Sequence, residues 1–177
     1  MRMYFYEKPL EELTTEEWEK ICMKCGKCCL CKYSDGDVIH FSNCICDFFD
    51  MKKGVCSCYE KRLETAKGEC KKVDMELLET EISLLPPSCA YRCLYEGRPL
   101  PSYHPLITGD SQSVLKANEA VVSMPVYSEK ERKEAIDCIV EQAIAEKWDR
   151  SKIKQEAYKK CQKYRLKWLE TYPLVKK

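Results

Sequence analysis

Residues 22–29 read Cys22-Met23-Lys24-Cys25-Gly26-Lys27-Cys28-Cys29, which places four thiols in eight positions. The Cys-x-x-Cys step lets two thiolates converge on one ion, while the turn between them aims backbone N–H groups at the sulfurs. Gly26 follows the second cysteine of this step, where a tight turn favours positive φ. The pattern predicts a metal site that organises the chain around it.

The number of cysteines raises the question of compartment. The chain has 14 cysteines among 177 residues, close to the density of a secreted disulfide scaffold. Its first segment is acidic from Glu7 onward and shows no secretory signal, and no apolar stretch is long enough to cross a bilayer. We therefore expect a cytoplasmic location, no membrane partner, and reduced cysteines that serve as metal ligands or redox groups.

Capping and turn signals predict a helix and a hairpin beside the motif. Thr14 and Glu17 form a capping box for a helix that leads into the cysteines. Residues 34–37 form a turn, and residues 38–41 continue as a strand. Because residues 26–70 contain few apolar side chains, we expect metal binding to supply part of their folding free energy.

The middle of the chain predicts short elements. Asp74 or one of its neighbours can cap a short helix through Leu78, and Pro86-Pro87-Ser88 can open another. Residues 120–127 favour an extended edge segment, because Pro125 cannot donate a ladder hydrogen bond.

The C-terminal part has a helical pattern. Ser128 and Glu131 form a second capping box, and apolar residues recur at helical spacing as far as Trp148. Ser151 is the expected cap of a last helix, whose apolar stripe reaches Trp168.

These signals predict an α+β fold with two parts. Residues 1–128 form a small irregular cysteine-cluster domain with short helices and a small hairpin. Residues 129–177 form a C-terminal two-helix extension, a helical pair.

The charge of the chain is unevenly distributed. The net charge is only +1, but residues 150–177 are basic and contain just two acidic residues, Glu156 and Glu170. Ten cationic residues lie there: Arg150, Lys152, Lys154, Lys159, Lys160, Lys163, Arg165, Lys167, Lys176 and Lys177. This segment could contact nucleic acid or an acidic protein surface, or it could be a solvated helix face.

Several separate elements carry a family resemblance. They are Cys22-x-x-Cys25-Gly26-x-Cys28-Cys29, Ile39-His-Phe41-Ser-Asn43-x-x-Cys46, Cys56-x-x-Tyr59-Glu-x-Arg62, Cys70, Ser88-Cys89-Ala90-Tyr91-Arg92 and His104-Pro105-Leu106-x-Thr108-Gly109. Over about residues 9–128 their order and spacing closely resemble the YcgN branch of the YkgJ-like cysteine-cluster proteins, a bacterial group described as zinc- or iron-chelating. The resemblance implies a metal-binding domain and no particular reaction.

The same resemblance implies which cysteines are the metal ligands. They are Cys22, Cys25, Cys28, Cys29, Cys46, Cys56, Cys70 and Cys89. The chain departs from the family at Gly54, where members commonly have a cysteine. Six cysteines are extra, and each could be an ordinary small buried hydrophobe: Cys31, Cys44, Cys58, Cys93, Cys138 and Cys161.

The adjacent pair Cys28-Cys29 limits how the ligands are shared. Vicinal side chains diverge too much to bind one ion comfortably, so the pair either serves two neighbouring sites or leaves one thiolate free. In the first case Cys22, Cys25 and Cys28 belong to one centre and Cys29 joins later cysteines at another. Spacing alone does not assign the later cysteines.

Two kinds of centre fit these thiols. Cys-x-x-Cys-Gly is typical of a zinc knuckle, while Cys22-x-x-Cys25-x-x-Cys28 has the spacing that wraps a [4Fe–4S] cluster. All-thiolate ligation with almost no histidine favours an iron–sulfur cluster or structural zinc over a hydrolytic zinc centre. We predict an iron–sulfur cluster of the [4Fe–4S] type, with Zn²⁺ as the alternative. We expect Lys24, Lys27 and Lys32 to offset the negative charge of the centre.

The resulting functional hypothesis is a cytosolic metal-binding protein that serves electron transfer or cluster or metal handling, with an unidentified redox or protein partner. The alternative is a structural-zinc module that binds a protein or nucleic acid through its basic C-terminal helix. The chain has no phosphate-binding loop and no Ser/His/Asp arrangement, so neither nucleotide-driven catalysis nor a catalytic triad has support. Whether the chain is an enzyme stays open. His104 could be a ligand or could fix an irregular loop by hydrogen bonds.

Overall fold

The computed structural model describes residues 4–67 and 70–175. Lys176 and Lys177, two of the predicted basic residues, lie outside the described residues. In chain order the helices are α1 (Thr15–Ile21), α2 (Arg62–Thr65), α3 (Met75–Thr80), α4 (Ala90–Tyr95), α5 (Pro105–Thr108), α6 (Ser113–Lys116), α7 (Glu129–Ala145) and α8 (Arg150–Cys161). The strands are β1 (Leu30–Asp35), β2 (Val38–Ile45), β3 (Phe49–Asp50), β4 (Val55–Cys56), β5 (Tyr127–Ser128) and β6 (Trp168–Pro173). The predicted α+β class is confirmed.

Strand β2 is the centre of the main sheet. It pairs antiparallel with β1 through the predicted turn at residues 36–37. It also pairs parallel with β5, where Cys44 faces Tyr127, and antiparallel with β6, where Phe41 faces Glu170. Strands β3 and β4 form a separate two-stranded hairpin.

Three of the predicted helices begin at their capping residues, whereas the helix predicted to open at Pro86-Pro87-Ser88 begins at Ala90, after Cys89. The Thr14 hydroxyl accepts a hydrogen bond from the Glu17 N–H, and the Asp74 carboxylate accepts one from the Leu77 N–H. Ser128 accepts the Glu131 N–H in the same way. These short side chains satisfy amides that have no partner inside the helix.

The predicted last helix differs from the observed one at both ends. Asp149, rather than Ser151, caps α8 by accepting the Lys152 N–H at 2.8 Å. The helix ends at Cys161 instead of reaching Trp168. The Asn43 amide binds the backbone of residues 165 and 167, and these contacts lead the chain into β6. The helical stripe was therefore wrong beyond Cys161.

The segment 120–127 is also more structured than predicted. A 3₁₀ turn occupies Val121–Ser123. Only the last residue of the segment, Tyr127, belongs to a strand. Val121 is fully buried and its N–H donates to the Cys25 carbonyl oxygen at 2.8 Å. The segment supports the cysteine loop instead of forming a free edge.

Two apolar clusters lie on either side of the cysteine loop. The helical cluster contains Leu10, Ile21, Leu77, Leu78, Ile82, Leu85, Ala90, Tyr91 and Leu100. The sheet cluster contains Leu30, Ile39, Phe41, Ile45, Phe49 and Val121. Because Ile21 and Leu30 directly flank residues 22–29, both clusters fix the ends of the loop.

Strand β6 joins the C-terminal part to the main sheet. The predicted division of the chain into a domain of residues 1–128 and an extension of residues 129–177 stays a prediction. Among the described residues, no helix combines the length and the apolar character needed for a membrane span.

Candidate metal centre

The cysteine loop reverses direction within a few residues of α1. Lys24 and Gly26 both have left-handed backbone angles, with φ of 55° and 77°. Gly26 is tightly enclosed, because a Cβ placed on it would lie 2.5 Å from Val121 Cγ2 and 2.7 Å from Phe49 Cζ. The glycine that the sequence singled out is therefore required by both conformation and space.

Four of the predicted ligands form a first thiol group, Cys22, Cys25, Cys28 and Cys89. The Cys25 thiol interacts electrostatically with the other three. Cys22 interacts with Cys28, and Cys89 interacts with both Cys22 and Cys28. Each thiol of the first group is thus close enough to the others for their charges to interact.

The first group is assembled from two segments far apart in sequence. Three of its members follow α1, and Cys89 is the N-cap residue of α4. Cys22 and Cys89 pack against the helical cluster. The Tyr91 hydroxyl donates to the Trp18 carbonyl oxygen at 2.9 Å and so ties α4 to α1. Packing of the two helices brings Cys89 to the loop.

The other four predicted ligands form a second thiol group, Cys29, Cys46, Cys56 and Cys70. Cys29 interacts electrostatically with Cys46 and Cys56, and Cys70 interacts with these two and with Cys28 of the first group. The Cys46 N–H donates to the Cys29 carbonyl oxygen at 3.0 Å. Cys56 belongs to the β3–β4 hairpin, where it is paired with Phe49.

The vicinal pair connects the two thiol groups. A hydrogen bond from the Cys29 thiol, assisted by the charges of Lys32 and Arg62, lowers the pKa of Cys28 to about 6. The same hydrogen bond and burial raise the pKa of Cys29. Cys28 is exposed and Cys29 is half-buried. Because each residue of the pair is assigned to a different group, this arrangement matches the alternative in which Cys28 and Cys29 serve two neighbouring sites.

Burial favours the protonated form of most of these thiols. It raises the pKa of Cys22 to about 11 and that of Cys89 to about 12, and it raises the pKa of Cys25 as well. Clustered thiolates add to this effect by mutual repulsion. A bound cation would reverse the balance, because metals bind the thiolate and release its proton.

Three cationic side chains act on the thiols, and the charge of one of them, Lys24, opposes the rise in the pKa of Cys22. Lys32 donates from Nζ to the carbonyl oxygens of Cys28 and Leu30, at 2.7 and 2.9 Å. Arg62 lies over the Tyr59 ring, 4.0 Å from its centre, and its charge acts on both Cys28 and Cys70. The sequence analysis did not predict that the charge of Arg62 acts on the thiols. The available signal was the position of Arg62 in the Cys56-x-x-Tyr59-x-x-Arg62 element.

The predicted role of Lys27 was wrong. Its side chain is buried and forms ion pairs with Glu119 and Glu170, at 2.6 and 2.7 Å. These partners raise the pKa of Lys27 against the opposing effect of burial. Lys27 therefore joins the loop to distant segments and is not available to balance thiolate charge.

The histidines have partners outside the thiol groups. His104 is fully buried, and its Nδ1 accepts the Leu106 N–H at 3.0 Å while its Nε2–H donates to the Ile21 carbonyl oxygen at 2.9 Å. His40 stacks on Trp168 and contacts Thr171. Of the two roles considered for His104, the structure shows the one that fixes a loop.

The extra cysteines have separate environments. Cys58 lies with its sulfur 3.8 Å from that of Cys56, at the edge of the second group. Cys93 is buried and donates to the Pro87 carbonyl oxygen. Cys138 is exposed on α7, and Cys161 packs beside Cys44.

The donor set fits a thiophilic metal in its chemistry. Each thiol group offers four sulfurs, the number that structural zinc and iron–sulfur centres use. Within residues 4–67 and 70–175, however, no three cysteine, histidine or carboxylate side chains already stand at ligating positions around one point. Protonated thiols lack the attraction to a common cation that would draw them together.

Comparison with known proteins finds clear relatives. No family model and no solved structure matches the chain. A UPF0260 protein of Aliivibrio fischeri is 42% identical over 127 residues, which cover 71% of this chain and 86% of the relative. The UPF0260 proteins of Shewanella pealeana and Rhizorhabdus wittichii are 42% and 44% identical, over 81% and 78% of their own lengths.

Proposed function

The chain belongs to the UPF0260 protein family, and from this premise we propose that it binds metal through eight cysteines arranged as two groups of four. The motif resemblance to the YcgN branch of the YkgJ-like proteins supports the same eight residues. They are Cys22, Cys25, Cys28 and Cys89 in the first group and Cys29, Cys46, Cys56 and Cys70 in the second.

The observation that carries the proposal is the clustering of these cysteines. Eight residues spread between positions 22 and 89 interact electrostatically with one another, mostly within two sets of four, and Cys28 and Cys70 also interact across the sets. In this proposal the vicinal pair, whose two thiols interact directly, contributes one member to each set. A chain that used its cysteines only as small hydrophobes would have no need for this grouping.

Iron–sulfur clusters of the [4Fe–4S] type are the proposed occupants. Each group contains four cysteines, which is the ligand set of such a cluster. When bound, a cluster would supply one-electron redox chemistry. The chain's own residues would hold it, and Lys32 and Arg62 would offset the negative charge of the thiolates. Electron transfer or cluster or metal handling, with a redox or protein partner, is the function that follows.

The direct test is analysis of protein purified under anaerobic conditions. We expect brown protein with broad absorption near ~400 nm, containing iron and acid-labile sulfide, as sulfide-bridged iron thiolates show. Colourless protein with stoichiometric zinc would support the alternative ion. Protein that binds neither iron nor zinc would contradict metal binding altogether.

A matched pair of variants tests the ligand assignment. Cys25→Ser should lose the metal of the first group and lower the stability of the fold, because metal binding contributes folding free energy. Cys138→Ser replaces an exposed thiol on α7 and should change neither property. Equal metal content in the two variants would refute the assignment.

A structural-zinc module is the second candidate, and the surface of α8 favours it. Five cationic residues on this helix are exposed: Arg150, Lys152, Lys154, Lys159 and Lys160. In this case zinc would hold the loops, and the helix would contact an acidic protein or nucleic acid. Association that weakens with salt, and is lost in a Lys154→Glu/Lys159→Glu variant, would support it; salt-independent association would not.

A further inference from the structure

Two cysteines outside the proposed ligands face each other across the β1–β2 hairpin. Leu30 and Ile45 are paired in the ladder, and the adjoining residues are Cys31 on β1 and Cys44 on β2. A bulge follows, so that Cys31 alone stands opposite residues 42–44 before the next regular pair. The two side chains belong to one cluster with Tyr127 and Tyr164.

This geometry is near that of a disulfide. Cys31 and Cys44 adjoin the Leu30–Ile45 ladder pair, and directly opposed residues of antiparallel strands have Cβ atoms about 4.5–5.5 Å apart. A disulfide needs Cβ atoms about 3.5–4.5 Å apart, so a small local movement suffices. The bulge favours such a movement, because the ladder is already interrupted at Cys31.

The two thiols also differ in their access to solvent. Cys44 is buried beneath Tyr127 and Tyr164, whose rings form an edge-to-face pair. Cys31 is half-buried and packs against the edge of the same cluster. A reagent from solvent therefore meets Cys31 first, and Cys44 lies behind it as a second thiol.

We propose that Cys31 and Cys44 are a redox-active dithiol, which a hydroperoxide oxidises to an intrachain disulfide. The Cys31 sulfur attacks one oxygen of hydrogen peroxide, the O–O bond breaks, and water leaves with formation of a sulfenic acid. The Cys44 sulfur then attacks the Cys31 sulfur, the S–O bond breaks, and a second water leaves. Two thiols lose two electrons and two protons, and one peroxide is reduced to two waters.

This pair is not among the proposed ligands. Cys31 and Cys44 lie in β1 and β2 and belong to the six cysteines beyond the eight, and each is two residues from a proposed ligand, Cys29 or Cys46. Oxidation of this pair would join the hairpin strands where β5 meets β2, since Cys44 is also paired with Tyr127. The site would thus give the chain a response to oxidants besides any chemistry of the metal.

The test is peroxide treatment of the full-length protein as purified. Hydrogen peroxide is added in equimolar amount, free thiols are blocked with N-ethylmaleimide, and unreduced peptides are sequenced by mass spectrometry. We expect a fragment joining Cys31 to Cys44 in more than half of the molecules, and dithiothreitol should restore both thiols. Blocked thiols at both positions, or a bond from Cys44 to Cys161, would overturn the proposal.

Variants separate this pair from the metal ligands. Cys31→Ser and Cys44→Ala should each abolish the linked fragment while their metal content equals that of the unmodified chain. Cys138→Ser, which removes an exposed thiol, should still form the fragment. Loss of metal in Cys31→Ser or Cys44→Ala would show that these residues are ligands and would overturn the dithiol assignment, while leaving metal binding itself intact.

Discussion

At the scale of single residues, Gly26 determines the backbone conformation of the cysteine loop. Its φ of +77° is strained for any residue with a Cβ, and an added Cβ would overlap both Val121 and Phe49. The strain alone costs about 1–2 kcal/mol, and overpacking adds about 1–3 kcal/mol. We expect Gly26→Ala to lower the free energy of unfolding by about 2–5 kcal/mol in urea denaturation.

Gly97 is the matched control for Gly26. Its φ is +69°, but no atom lies within 4 Å of a Cβ placed there. Gly97→Ala should therefore lose only the conformational contribution, about 1–2 kcal/mol. Equal losses in the two variants would show that Val121 and Phe49 do not enclose the loop.

His104 makes the fold sensitive to acid. Burial lowers the pKa of this histidine below its usual 6.5, and its two nitrogens already serve Leu106 and Ile21. The unfolded chain then binds more protons below about pH 6.5, so the His104 contribution is present above that pH and is lost as pH falls. Stability measured in urea from pH 8 to pH 5 should show this decline.

The His104→Asn variant isolates this contribution. The shorter amide can still accept from the Leu106 N–H but does not reach the Ile21 carbonyl oxygen, so we expect it to be about 1–3 kcal/mol less stable at pH 8. The gap to the unmodified chain should narrow toward pH 5. His40→Asn, in the sheet, should keep the decline caused by His104. A constant gap at every pH would contradict this account.

At the scale of elements, local signals predicted some boundaries and missed others. Thr14, Asp74 and Ser128 were recognisable caps, because each forms hydrogen bonds within three residues. The end of α8 was missed, because it depends on Asn43, more than 120 residues away in sequence. Such long-range hydrogen bonds leave no periodic signal in the segment that they reshape.

In the candidate site, too, nearby sequence predicted some features, while others depend on distant parts of the chain. The loop of residues 22–29 and the positive φ of Gly26 follow from nearby sequence. The assignment of Cys89 to the first group does not, because it depends on how α4 packs against α1. The direction of the Lys27 side chain likewise depends on Glu119 and Glu170, so charge near the cysteines was a misleading guide.

The cap of α8 gives a test at this scale. Asp149 accepts the Lys152 N–H, whereas Ser151 lies inside the helix and is exposed. Asp149→Ala should lower the free energy of unfolding by about 0.5–2 kcal/mol and speed amide exchange in the first turn of α8. Ser151→Ala should change stability by less than about 0.5 kcal/mol. The reverse order would restore Ser151 as the cap.

At the scale of the whole molecule, Lys27 connects three distant parts of the chain. It lies in the cysteine loop, and its ion pairs reach Glu119, beyond α6, and Glu170, in β6. Its side chain is only 3% exposed, while those of Glu119 and Glu170 are 34% and 21% exposed. The buried cation thus has two carboxylate partners that water reaches only in part.

Replacing Lys27 should therefore destabilise the entire fold. Lys27→Met leaves two neighbouring carboxylates without their cation, and breaking a buried ion pair in this way costs about 3–5 kcal/mol. We expect a loss near the lower end of that range, because both carboxylates retain some contact with water. Urea denaturation measures the loss, and amide exchange should show β6 opening together with the cysteine loop.

Neutralising the partners distinguishes charge from packing. In Lys27→Met/Glu119→Gln/Glu170→Gln no carboxylate is left unpaired, so we expect most of the stability to return. Lys154→Met, at an exposed position on α8, should change stability by less than about 0.5 kcal/mol. If the triple variant is as unstable as Lys27→Met, the methylene stem of Lys27, rather than its charge, holds β6 to the loop.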